Sequence, residues 1–135
     1  MPIVDCHVHL NHYADEQVAG LQASLQTLQT TMRRNRVDAA LVLTSYKVSP
    51  GRPSTREVVA ATRDIVNLHV VAGVSYDTLD DGVIADLDQM LAARDIVGLK
   101  LYPGYQSFYP FDPKLEPVYA LASRHRVPVM IHSGK

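Results

Sequence analysis

The chain has 135 residues, the span of one ordinary domain, with 47% hydrophobic and 20% charged residues. That composition excludes a disordered segment, a collagen or a fibre. Thirteen Lys and Arg against fourteen Asp and Glu leave a net charge of −1, and Cys6 is the single cysteine, so neither nucleic-acid binding nor a disulfide framework is expected. In chain order, the first apolar, β-branched run covers residues 3–10 and reads as a strand. Val18, Leu21, Leu25, Leu28 and Met32 follow at spacings of three and four, one face of a helix. A second strand is expected over 39–44. Ser54, with Glu57 three residues on, is a capping box, and Val58, Thr62, Ile65 and Val66 continue the helical period behind it. A third strand is expected over 69–76. Asp80 or Asp81 then opens a helix with the stripe Val83, Leu87, Met90 and Leu91. Residues 97–102 read as the fourth strand. Asp112-Pro113 is a cap with a first-turn proline, followed by Leu115, Val118, Tyr119 and Ala122. Pro117 sits early enough in that helix for its missing N–H to cost little, with a kink as the alternative. The fifth strand is expected over 127–132.

Strict alternation of strand and helix implies a parallel sheet with crossover helices, an α/β fold. No linker, low-complexity tract or repeat interrupts it. Strand starts at residues 3 and 127 lie 124 residues apart, or four units of about 31. Eight such units need about 250 residues, the size of a (β/α)8 barrel. No helix follows the fifth strand to cover it. The expectation is a partial (β/α)8 TIM barrel, comprising the first five strands and four helices of a single larger barrel domain cut after strand five. A flavodoxin-like open sheet lacking its last helix is the alternative.

The residues able to do chemistry cluster at strand ends. On the first strand, alternation puts Asp5, His7 and His9 on one face, and Cys6, Val8 and Leu10 on the other. The polar set is expected inside the barrel and the apolar set, with an inert Cys6, against the helices. Two imidazoles two residues apart on one strand face can reach one metal ion, and Asp5 can orient a ligand from behind. The bland reading is polar barrel filling. His132 ends the fifth strand, across a barrel from the first, so His7, His9 and His132 can converge on one ion. Three His and a water make an acceptable catalytic zinc shell. Lys100 alternates with Leu99 and Leu101 and should point inward, where it either meets a substrate carboxylate, bridges two metals after carboxylation, or forms an internal ion pair, with Asp5 as one partner. His12 is expected at the surface or the mouth, His69 at the barrel bottom and His125 at the end of the fourth helix, where a cation suits the dipole. Tyr102, Tyr105, Phe108, Tyr109 and Phe111 make the loop after strand four aromatic, as a pocket wall or as rim packing.

Asp5-Cys6-His7-Val8-His9, Gly98-Leu99-Lys100-Leu101-Tyr102-Pro103-Gly104-Tyr105 and Pro128-Val129-Met130-Ile131-His132-Ser133-Gly134 resemble, in that order, the strand-one, strand-four and strand-five segments of the amidohydrolase superfamily. The likeness is to its amidohydrolase-related branch of metal-dependent barrel hydrolases and decarboxylases, and only to the first part of that fold. It implies His7, His9 and His132 as metal ligands. The family completes its site with a histidine after strand six and an aspartate after strand eight, positions that these 135 residues do not reach. Lys-Leu-Tyr-Pro is also similar to dihydroorotases, in which the matching lysine is carboxylated. The surrounding pattern resembles the single-metal branch, so Lys100 is expected to touch substrate or to support a ligand. Relatives acting on DNA or phosphate esters carry an acid there, which Lys100 does not match.

The expected activity is hydrolysis of an amide, lactone or ester by a metal-activated water, with a divalent ion, Zn²⁺, as cofactor and a small molecule as substrate. Decarboxylation by the same fold, a lyase reaction, is one alternative. A non-catalytic truncated barrel, associating with itself through open sheet edges, is the other. The first residues lack the basic and apolar stretches of a signal peptide, and no apolar run approaches ~20 residues, so no membrane partner and a cytoplasmic location are expected.

Overall fold

The structure is a computed structural model that describes residues 1–12 and 20–133. Val18 of the first helical stripe, Gly134 and Lys135 lie outside the described residues. Five strands, β1 (Val4–Val8), β2 (Ala39–Leu43), β3 (Leu68–Gly73), β4 (Gly98–Leu101) and β5 (Val129–Ile131), alternate with four helices, α1 (Leu21–Asn35), α2 (Thr55–Thr62), α3 (Asp81–Ala92) and α4 (Glu116–His125). All strand pairings are parallel, in the order β1-β2-β3-β4-β5. Each unit is therefore laid beside the one before it, as a barrel is wound. A doubly wound sheet would reverse direction at a switch point, so the flavodoxin-like alternative is excluded. The fold is a partial (β/α)8 barrel.

Local chemistry explains the element ends. Ser54 accepts from Glu57 N while the Glu57 carboxylate accepts from Ser54 N at 2.8 Å, which completes the expected capping box. Asp80 caps α3 by accepting from Val83 N at 2.8 Å. Asp112 accepts from Lys114 N at 2.9 Å, and Pro113–Leu115 form a single 3-10 turn before α4. Pro117 thus falls in the first turn of α4, where its missing N–H has no carbonyl to lose, and it does not kink the helix. Arg36 and Arg126 end α1 and α4 in the left-handed region. The second helix is shorter than its apolar period suggests. It stops at Thr62, Ile65 N turns back to Thr62 O, and Val66 lies 92% exposed in the turn that feeds β3.

The core lies between sheet and helices. Ala40 and Val42, Val70 and Ala72, and Leu99 and Leu101 face Leu25, Val58, Leu87, Met90, Val118 and Leu121 from the helices. This buried apolar surface is the main stabilising term. The opposite face carries the buried Leu43 and Val71 together with Lys100. Gly73 pairs with Lys100, and Lys100 pairs with Met130, so alternation brings Lys100 and His132 to the side away from Leu99 and Leu101. Beyond the strands, His132 N donates to Leu101 O at 3.0 Å and holds the start of that loop in line with β4.

Candidate functional site

The strand-one pair is built by an irregularity. Asp5 pairs with Ala40 but Val8 with Val42, so β1 carries one extra residue around Cys6 and His7. Such a bulge re-aims side chains. His7 Nε2 and His9 Nε2 face each other at 3.1 Å. The Leu43 carbonyl accepts from His9 Nδ1 at 2.8 Å. That bond places the proton of a neutral His9 on Nδ1 and leaves the Nε2 lone pair turned toward His7. Burial, the largest influence, holds His9 below its ordinary pKa. The His7, Lys100 and Arg52 charges push the same way against the Leu43 carbonyl, so the neutral ring that metal ligation requires is favoured. Two nitrogens bound tetrahedrally at 2.0–2.1 Å lie about 3.3 Å apart, close to the spacing seen here. The pair therefore fits a divalent ion in donor type, spacing and backbone anchoring.

A cavity of about 180 Å³ opens over this pair, lined by His7, His9, Asn11, Ser45, Tyr46, Arg52, Tyr102, Tyr105 and His132. All three histidines singled out from the sequence therefore line one cavity. His7 and His9 meet in it. His132 stands beside the aromatic loop, its ring 4.8 Å from that of Tyr105 and 6.3 Å from that of Tyr102. Among the described residues, no three His, Cys, Asp or Glu side chains are grouped at metal-holding spacing.

Lys100 is 3% exposed, and its Nζ lies over the Tyr102 ring, 5.5 Å from the centroid. Desolvation lowers its pKa. The internal ion pair with Asp5 is absent, and no carboxylate among the described residues pairs with Lys100. Asp5 is exposed, and its Oδ1 accepts from His7 N at 3.0 Å. It thus braces the backbone that carries His7 rather than the imidazole itself. Cys6, expected against the helices, is instead exposed. His12 is half-buried rather than superficial, its Nε2 2.7 Å from Ser24 Oγ. His69 is exposed near the start of β3, where it borders a separate cavity with Arg63, Arg94 and Asp95. His125 ends α4 and meets Asp88 of α3, Nε2 to Oδ1, at 2.5 Å.

The aromatic loop divides between the two roles expected for it. Tyr102 is buried, its hydroxyl donating to Thr44 O at 2.6 Å, and with Tyr105 it walls the cavity. Phe108 stacks on Tyr76 at 4.6 Å and packs the rim, while Tyr109 and Phe111 stack on each other in solvent. Arg52, Tyr46 and Asn11 are cavity residues to which reasoning from the sequence gave no role, although the stretch of residues 50–53 reads as a loop behind a strand end. The available signal was position, since each lies in the loop that follows β1 or β2, where parallel barrels build their sites. Ser49 and Arg52 exchange two backbone hydrogen bonds, which fixes the turn that presents Arg52.

The family model for amidohydrolases matches residues 4–134. The chain belongs to the amidohydrolase family. All three motifs that carry the resemblance fall within the matched stretch, and membership supports a barrel of the metal-dependent hydrolase and decarboxylase type. An uncharacterised TIM-barrel protein from Bordetella bronchiseptica has a similar structure, with a TM-score of 0.68 and 17% sequence identity. The likeness covers 100% of this amidohydrolase chain and 56% of that protein's chain, and it shows the fold. A comparison with curated proteins finds no match.

Proposed function

We propose that this chain is the N-terminal part of a metal-dependent hydrolase domain that acts on an amide, lactone or ester of a small molecule. The observation that carries the reading is the His7–His9 pair, with facing Nε2 atoms at 3.1 Å and His9 tied to the Leu43 carbonyl. His7 and His9 would hold a divalent ion, Zn²⁺ by donor type, together with His132 from the facing strand. When bound, such an ion supplies Lewis acidity, acidifying a water and polarising a carbonyl.

The chain's own residues do the remaining work. Leu43 O orients the His9 ring, and Asp5 steadies the strand that carries His7. Tyr102 and Tyr105 form an aromatic wall of the cavity. Lys100, buried beneath Tyr102, and Arg52 on the cavity wall supply positive charge that favours an anionic group on the substrate. The same charges suit decarboxylation, the second reading, in which the group they attract is the one that leaves. Strands beyond β5 would complete the barrel and bring the general base.

Isothermal titration of Zn²⁺ into the full gene product tests the metal reading. His9→Ala should weaken binding by roughly 10- to 100-fold or more, the scale seen when a ligand's own support is lost. Affinity unchanged in both His7→Ala and His9→Ala would remove the pair from the metal site. Assay of the same protein with lactone, amide and aromatic carboxylate panels separates the two reactions, since carbon dioxide release without hydrolysis would make the enzyme a decarboxylase.

A further inference from the structure

Tyr105 lines the same cavity as the strand-one pair, its ring 4.8 Å from that of His132, yet it is 62% exposed and makes no side-chain hydrogen bond among the described residues. The preceding Gly104 has φ +90, and without a Cβ it adopts this and other conformations at little cost. The position of Tyr105 must therefore be imposed from its flanks. On one side Tyr102 is anchored by its hydroxyl to Thr44 O. On the other lies Gln106, a side chain that the amidohydrolase reading does not use.

Gln106 is 5% exposed, and both ends of its amide are satisfied. Oε1 accepts from Tyr76 N at 3.2 Å, and Nε2 donates to Asp77 Oδ2 at 3.1 Å and to Ser75 Oγ at 3.3 Å. Its backbone N donates to Tyr102 O at 3.1 Å, closing the loop that contains Tyr105. One buried amide thus ties the loop after β4 to the loop after β3. The neighbouring rim is itself well braced. Tyr76 OH donates to Asp112 Oδ2 at 3.0 Å, and Lys114 Nζ donates to Tyr76 O at 2.7 Å. Those contacts, with Phe108 stacked on Tyr76, fix the far part of the loop after β4 against the loop after β3, and Gln106 fastens the part next to Tyr105.

We infer that Gln106 is a positioning residue: by fastening the loop after β4 to residues 75–77 it holds Tyr105 over His132, so that this pair sets the aperture above the imidazoles. The inference deepens the proposed function and rests on the imidazole cavity being the site.

The 135 residues contain no tryptophan, so Tyr105→Trp adds an indole to this part of the full gene product, and the difference between its emission and that of the parent reports on this position. In that background Gln106→Ala should raise the acrylamide quenching constant of the indole by roughly two-fold and lower its anisotropy, as expected for a loop released from its tether. Quenching by saturating Cu²⁺ should fall, while Cu²⁺ affinity measured by titration stays the same. Gln106→Glu keeps the acceptor for Tyr76 N but sets a carboxylate against Asp77, and should loosen the loop likewise. Adding Asp77→Asn restores a donor to that carboxylate and should restore the indole signals. A purely structural role would lower the melting temperature without moving the indole, and that pattern overturns the inference. So does failure of Asp77→Asn to restore the signals. If Gln106→Ala does not fold, the Glu and Asn pair decides. If Cu²⁺ fails to bind the parent protein, the imidazole reading falls, and the acrylamide and anisotropy comparison still settles the tether.

Discussion

A methyl group at Gly73 would lie 2.3 Å from Thr44 O and 2.7 Å from the carbonyl carbon of Ser45. Both are backbone atoms at the end of β2, and neither can step aside without moving the strand that carries Leu43. Gly73 N also donates to Thr44 Oγ1 at 2.8 Å, and that hydroxyl meets Thr55 Oγ1 at 2.8 Å at the start of α2. Gly73→Ala should therefore destabilise the protein by about 1–3 kcal/mol, the usual cost of overpacking. The urea midpoint reads the effect, and a midpoint equal to that of the parent would show that the strands can part freely. Legibility at this scale followed alternation. His7, His9 and Lys100 were readable because a strand has a period of two and a histidine pair on one face is chemically conspicuous. Arg52, Tyr46 and Asn11 were not, since they sit on turns, where no period says which way a side chain points. Cys6 was misplaced because alternation gives a face but not whether another element covers it. The role of Gln106 was invisible, since its partners are 29–31 residues away in sequence.

Between elements, α3 and α4 are joined at their surfaces by Asp88, which accepts from His125 at 2.5 Å and from Arg124 at 3.1 Å. The hydrogen bond from His125 is the largest influence holding the Asp88 carboxyl below its ordinary pKa. The charges of Arg124 and His125 add to it against partial desolvation. A carboxyl depressed in the folded state contributes stability above its unfolded value, about 3.9, and loses that contribution as pH falls through the folded pKa. Asp88→Asn should thus be less stable than the parent at pH 7, and the gap should close at acid pH, as the parent's carboxyl takes up its proton below its depressed folded pKa. Chemical denaturation at pH 7 and at acid pH checks this, and a gap of the same size at both would place the effect in packing rather than charge. Elements were legible where chemistry marks their ends, as at Ser54–Glu57 and Asp80. They were less so where only hydrophobicity continued. Ile65 and Val66 kept the helical period past the end of α2, but Arg63 already turns the chain toward β3, and Val66 is left in solvent.

For the whole molecule, the sheet is open. The order runs from β1 to β5 without closing, and Val4 and Ile131 on the two edge strands are 51% and 43% exposed. Strand edges with unpaired N–H and C=O groups invite further pairing, and a barrel removes them only by closing. The same opening bears on the site. The proposed ligands come from the first and the last described strands, so their separation depends on a wall that these five strands do not supply alone. The 135-residue chain, prepared by itself, should therefore self-associate as its concentration rises and bind Zn²⁺ more weakly than the full gene product. Val4→Lys and Ile131→Lys together should reduce the association without restoring the affinity, because charges on edge strands block pairing but do not close a barrel. Light scattering combined with elemental analysis distinguishes the outcomes. A monodisperse monomer carrying one tightly held zinc would mean that five strands suffice to hold His132 against the His7–His9 pair, and that closure matters to the substrate rather than to the metal.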